Sequence, residues 1–292
     1  MHKQHAVYAP YAFVFLWSTG FIGAKYALPF IEPFTLLAMR FIIALAVLLQ
    51  LFRYFKPDLK LDRVLRAHLM ASGLMVHGAY LGGVFTAVKL GMPAGVIALL
   101  VGLQPILTAA VTPVVFHRRI PMLHWIAVAL GFIGILLVLI DKASFEGFGT
   151  EAVIAGTVAL VGITFGTIYQ KRVTAGVDVL SVAYYQYIAT AIAFTLAALM
   201  FEEQVIEWSA QLLMALAWLV FGLSIGAILL LNYLIKLHEA HKTSSLFYLV
   251  PPLTAVEAYL LFDEKLSLIN MAGMVLVVVA VYLVMKKNSA SD

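Results

Sequence analysis

Long apolar runs constrain this chain more than any other feature of its sequence. A helix rises about 1.5 Å per residue, so about 18 to 20 apolar residues cross roughly 30 Å of hydrocarbon. Ten runs of that order can be marked: Tyr8 to Phe30, Phe34 to Phe55, Ala67 to Val88, Pro93 to Phe116, Pro121 to Ile140, Ala152 to Val173, Leu180 to Phe201, Leu212 to Lys236, His241 to Phe262 and Leu268 to Met285. Pro29, Pro33, Pro57, Pro93 and Pro121 fall at or near run ends, where a missing N–H costs least. The short alternating strands of a membrane β-barrel are absent. Hydrophobic residues make up 63% of the chain and charged ones 12%, too little polar surface for a water-soluble domain of this length. The expected fold is all-α and integral to the membrane, with ten transmembrane helices.

The basic residues orient these helices. With the N-terminus in the cytoplasm, the inner segments carry Lys3; Arg53, Lys56, Lys60, Arg63 and Arg66; Arg118 and Arg119; Lys171 and Arg172; Lys236 and Lys242; and Lys286 and Lys287. The outer segments carry Lys25, Lys89, Lys142 and Lys265, and Arg40 lies within a span. Fourteen basic residues inside against four outside follows the positive-inside bias, so both termini are expected in the cytoplasm and the chain in an inner (plasma) membrane. The net charge of +4 is thereby read as topology and not as nucleic-acid binding. No cleavable signal is expected, because Pro29-Phe30-Ile31-Glu32-Pro33 follows the first run instead of a small-residue site. The absence of Cys excludes disulfides, thiol catalysis and thiolate metal sites.

An offset of 146 residues relates two halves, 1–146 and 147–292. It pairs Ser18 with Thr164, Gly20 with Gly166, Lys25 with Lys171, Arg40 with Gln186, Pro105 with Pro251 and Arg119 with Lys265. Five spans per half is an odd number, so the second half enters the membrane from the opposite side. The halves then form inverted five-helix repeats, which many secondary carriers use to build alternating access around a midplane site.

Particular residues sharpen this. The first span reads Phe15-Leu16-Trp17-Ser18-Thr19-Gly20-Phe21 with Lys25 close behind, then come Glu32-Pro33-Phe34 and Met39-Arg40-Phe41. Leu103-Gln104-Pro105 lies in span four, Val250-Pro251-Pro252 in span nine, and Phe262-Asp263-Glu264-Lys265 precedes the last span. In their order and spacing these motifs resemble the EamA family of the drug/metabolite transporter superfamily over nearly the whole chain. The resemblance implies ten helices, cytoplasmic termini, export of amino acids or other metabolites, and a central cavity lined mainly by spans one, three, four, six, eight and nine. One departure is that the family's Trp-Gly pair is opened here to Trp17-Ser18-Thr19-Gly20.

Polar groups inside a bilayer are costly, so each asks for a reason. His77 lies midway along span three with Tyr80 on the same face. It can relay a proton at physiological pH or donate one hydrogen bond to a neighbouring helix. Gln104 is mid-span in span four with Thr108 one turn on. Pro105 frees the carbonyl of Val101, giving a solute hook or a packing kink. Trp17 is too deep for an interfacial belt and either packs or lines the cavity. Ser18 and Thr164, repeat mates at the midplane, are small enough to flank a passage. In span nine Ser245, Tyr248, Pro252 and Tyr259 share a face by the helical period, with Phe247 and Glu257 pointing elsewhere. Arg40 and Glu257 lie at one depth near the outer end of spans two and nine, as a gating ion pair or as two groups that snorkel separately. Gly162 with Gly166, and Gly91 with Gly95, have the four-residue spacing that lets helices approach closely.

Function follows by comparison of classes. A carrier of amphipathic metabolites fits best, with amino acids first and aromatic or hydrophobic ones favoured by the lining. An organic-cation exporter of the same superfamily is the rival, although Glu257 is off-centre for neutralising a cation. An intramembrane enzyme would need a nucleophile with its base or metal ligands at helical spacing, and neither pattern occurs. Rings of carbonyls or like charges for a channel filter are also missing. With no phosphate-binding Gly-rich loop, the driving force is a gradient. No cofactor or metal is expected. The expected partners are a small-molecule solute and the lipid bilayer. Proton coupling through His77 and the choice between monomer and homodimer stay open.

Overall fold

The structure is a computed structural model that describes residues 2–115, 122–146, 148–237, 250–263 and 267–288. Among them there are thirteen α-helical segments, two π-helical segments and no named strand. A lone antiparallel bridge joins Ile31 to Ile206. Five stretches are long and apolar enough to cross a membrane: Pro33–Phe55, Arg63–Lys89, Thr150–Val173, Val179–Phe201 and Ala210–Leu231. Shorter apolar helices include Leu253–Phe262 and Leu268–Ala280.

Helix α1 is His2–Ala27 and α2 is Pro33–Phe55. Pro33 opens α2, where its fixed φ is already helical and no N–H is lost. Span three is α3 (Arg63–Gly73), a π segment (Leu74–Ala79) and α4 (Tyr80–Lys89). Asp62 caps it by accepting the Val64 N–H at 2.9 Å. Span four is α5 (Ala94–Val101) and α6 (Gln104–Val115), broken at Gly102 and Leu103. Pro105 cannot donate to Val101, so the helix interrupts just ahead of it. Helix α7 is Met122–Glu146, α8 is Thr150–Val173 and α9 is Val179–Phe201. Span eight is α10 (Ala210–Ala217), a second π segment (Trp218–Ala227) and α11 (Ile228–Leu237). Helices α12 (Val250–Phe262) and α13 (Leu268–Asn288) complete the chain.

Element boundaries repeat at the offset read from the sequence. Both ends of α2 recur 146 residues later in α9, and the start of α7 recurs in α13. The first π segment, moved by the same offset, falls inside the second. Mates also pack on each other. α2 and α9 run antiparallel. At one end Glu202 accepts the N–H groups of Phe34 and Thr35 at 2.7 Å each, and Glu32 accepts the Glu203 N–H at 2.9 Å. At the other end Ser181 and Tyr185 donate to the carbonyls of Asp58 and Leu59. α7 and α13 cross the same way: a Cβ on Gly131 would lie 3.6 Å from that of Ala280, and one on Gly134 3.0 Å from Val277.

Glycines carry the close approaches elsewhere. Gly162 and Gly166 of α8 lie against the first π segment, where an added Cβ would come within 2.8 Å of Ala79 and Val76 respectively. That packing agrees with their spacing. Gly91 differs: it is a turn residue at φ +91°, and an added Cβ would meet only Phe148 within 4 Å. Outward faces are apolar at helical spacing, as with Ile154, Val158, Val161 and Phe165 on α8 or Ile192, Leu196 and Leu199 on α9. Such stripes are untenable in water and suited to lipid, while every helical N–H is satisfied within its own segment.

Candidate functional site

The polar residues of the interior fall into three groups. The largest lies between α2, the first π segment, α9 and the second π segment. Arg40, 3% exposed, donates from Nε to Ser224 Oγ at 2.7 Å. The Tyr187 hydroxyl donates to the Ser224 carbonyl. His77, 1% exposed, shares a hydrogen bond between Nε2 and Gln186 Oε1 at 3.3 Å, and Gln186 Nε2 donates to Ser72 Oγ at 3.0 Å. The rings of Phe41, His77 and Tyr187 pack mutually at 5.0 to 5.5 Å between centroids. Trp17 and Tyr80 stack within 6° of parallel, centroids 6.2 Å apart. Trp17, Arg40, His77 and Tyr80 then line one cavity with Phe85 and Leu223. Its volume open to the centre of a water-sized sphere is about 30 Å³. That holds a few waters and is too small for a metabolite, so a solute enters only when the helices part.

The second group joins α1 to α12. Ser18 Oγ donates to Glu257 Oε1 at 2.8 Å, and Thr254 Oγ1 donates to the Ser18 carbonyl at 3.4 Å. The other carboxylate oxygen of Glu257 is buried without a hydrogen-bond partner. The third group joins α6 to α8. Gln104 Nε2 donates to Thr167 Oγ1 at 3.1 Å, and its Oε1 is buried without a partner. Thr108 and Thr164 turn back onto the carbonyls of Gln104 and Leu160 in their own helices.

Several sequence expectations meet this geometry differently. Trp17, too deep for a belt, does line the cavity, and His77 and Tyr80 line it with Trp17. Arg40 and Glu257 are not paired: equal depth leaves the azimuth free, and each finds a serine on a different neighbour. Glu257 turns toward α1, whereas Tyr259, expected on the inner face, is 54% exposed. Ser18 meets Glu257 instead of flanking the cavity, and Thr164 is spent within α8. Gln104 also lies outside the cavity lining described above. Ser245 and Tyr248 lie outside the described residues. Gln186, Tyr187 and Ser224 were not singled out from the sequence. For Gln186 the signal was available, since it is the repeat mate of Arg40.

Lipid-facing stripes around a buried polar cluster that lines a cavity define a multi-pass membrane protein of the transporter class. The chain belongs to the EamA-like transporter family, whose pattern matches it twice, over residues 7–140 and 150–286. Its members are transporters and not enzymes. A Salmonella typhimurium protein named "Probable amino-acid metabolite efflux pump" is 24% identical over 279 residues, covering 92% of this chain and 91% of that one. A Bacillus subtilis protein named "Uncharacterized transporter YvbV" is 25% identical over 285 residues, covering 95% and 90%. A protein of known crystal structure superposes with a TM-score of 0.72 at 22% identity over 99% of each chain, a likeness of fold alone.

Proposed function

We propose that this chain is a secondary transporter of ten transmembrane helices. Two inverted repeats, residues 1–146 and 147–292, would move small organic metabolites out across the inner membrane by alternating access, both termini being cytoplasmic. Amino acids, aromatic and hydrophobic ones included, are the proposed cargo. The carrying observation is the cavity itself: Trp17, Arg40, His77 and Tyr80 from one half meet Leu223 and Ile228 from the other around one space. A site lined from both halves changes its access when the halves rock against each other. The antiparallel packing of α2 on α9 supports the inverted relation, and the name of the Salmonella relative supports amino-acid metabolites as cargo.

The test is uptake into proteoliposomes with a panel of amino acids and organic cations, each with and without a pH gradient. Flux of aromatic and aliphatic amino acids above protein-free vesicles is expected. Flux of organic cations alone would transfer the assignment to a cation exporter, and none for any solute would end the transport reading. Labelling of single cysteines at Arg63 and Lys171 should come from one side of the membrane. Opposite sides would break the inverted repeat.

A further inference from the structure

Arg40 is the buried charge that the lattice of hydrogen bonds leaves uncompensated. Its Nε is taken by Ser224, and its four Nη–H donors have no hydrogen-bond partner among the described residues. Its side chain borders the cavity. The ionisable groups near enough to feel its charge are Tyr187, Tyr80 and His77, and none is a carboxylate. Glu257, the acidic group at similar depth, is held by Ser18 instead. A guanidinium buried in the bilayer without a counter-ion is expensive unless something else supplies the negative charge. The planar fork of Arg fits a carboxylate through two parallel hydrogen bonds. Across the same cavity the stacked Trp17 and Tyr80 rings offer an apolar, aromatic wall.

We propose that Arg40 is the carboxylate-binding group of this site: the solute carries a carboxylate, which docks on the Arg40 fork, while its apolar part lies on the Trp17–Tyr80 wall. The assignment rests on the transporter reading above and adds a chemical requirement to it. It also explains an asymmetry between the repeats. The mate of Arg40 is Gln186, a neutral amide committed to His77 and Ser72, so the negative end of the solute is read from α2 alone.

The experiment measures melting of the purified full chain in detergent micelles, with L-phenylalanine and L-leucine set against L-phenylalaninamide and L-leucinamide. The acids should stabilise the wild type and the amides should not, with an affinity ratio of about 10- to 150-fold, the worth of a charge-assisted hydrogen bond. In Arg40→Gln the ratio should fall to about one, while Arg40→Lys, which keeps the charge and loses the fork, retains part of it. Unliganded Arg40→Gln should melt no lower than wild type, because an unpaired buried charge has been removed. Equal affinity of wild type for acid and amide, binding of neither, or an acid preference that survives Arg40→Gln overturns the proposal. Should Arg40→Gln not fold, the wild-type comparison and Arg40→Lys decide. Binding is read apart from flux. Acid-selective binding without transport removes the transport reading and keeps the Arg40 assignment; transport of amides as readily as acids does the reverse.

Discussion

Gly73 is the hinge point between the packing and the site, and replacing it with Ala gives the sharpest prediction. A Cβ there would lie 2.6 Å from Gln186 Cα and 2.8 Å from its carbonyl oxygen. Both belong to the α9 backbone and cannot swing aside. Ordinary contact begins near 3.4 Å, so α3 and α9 must separate by about 0.8 Å or more. The His77–Gln186 bond, already 3.3 Å, would then pass beyond hydrogen-bond range, and so would the 3.3 Å bond from Thr190 to the Gly73 carbonyl. Overpacking costs ~1–3 kcal/mol. Each lost interhelical bond in a membrane adds about 0.6 kcal/mol. Gly73→Ala should therefore destabilise by about 2–4 kcal/mol and reduce flux. Gly78→Ala is the control, since a Cβ there would come no nearer than 3.8 Å to the side chain of Leu74. Its effect on stability should stay within about 0.5 kcal/mol. Equilibrium unfolding in mixed micelles measures both. A Gly73→Ala protein as stable as its Gly78→Ala counterpart would refute the packing argument.

Other expectations follow from the same geometry. His77→Ala should fold and lose most flux in proteoliposomes; wild-type flux would remove His77 from the site. Glu202→Ala strips two backbone N–H groups and the Thr35 hydroxyl of their acceptor at the start of α2, so a loss of ~1–2 kcal/mol should appear in the same unfolding assay. A stability unchanged by that substitution would remove Glu202 as the cap of α2. Gly131→Cys with Ala280→Cys should cross-link on oxidation, because the two Cβ positions lie 3.6 Å apart, within the roughly 3.5–4.5 Å a disulfide spans. The chain has no cysteine to confuse the result. Failure to cross-link would contradict the antiparallel packing of α7 on α13.

The sequence by itself determined that the chain is helical and apolar enough for a membrane, that it repeats after 146 residues, and where most helices begin and end. Those properties are local: run length, proline punctuation and residue type decide them without reference to any neighbour. It also determined how deep each polar residue sits, since depth is a count of residues along a helix. Only the tertiary structure decided which way those residues face and whom they meet. Arg40 and Glu257 share a depth, yet one lies toward Ser224 and the other toward Ser18. Two π segments, at Leu74–Ala79 and Trp218–Ala227, widen the helical turn and shift the face of everything beyond them, which a fixed period of 3.6 cannot anticipate. Interhelical partners depend on the rotation of each helix about its axis, and that angle is fixed by packing against the other helices.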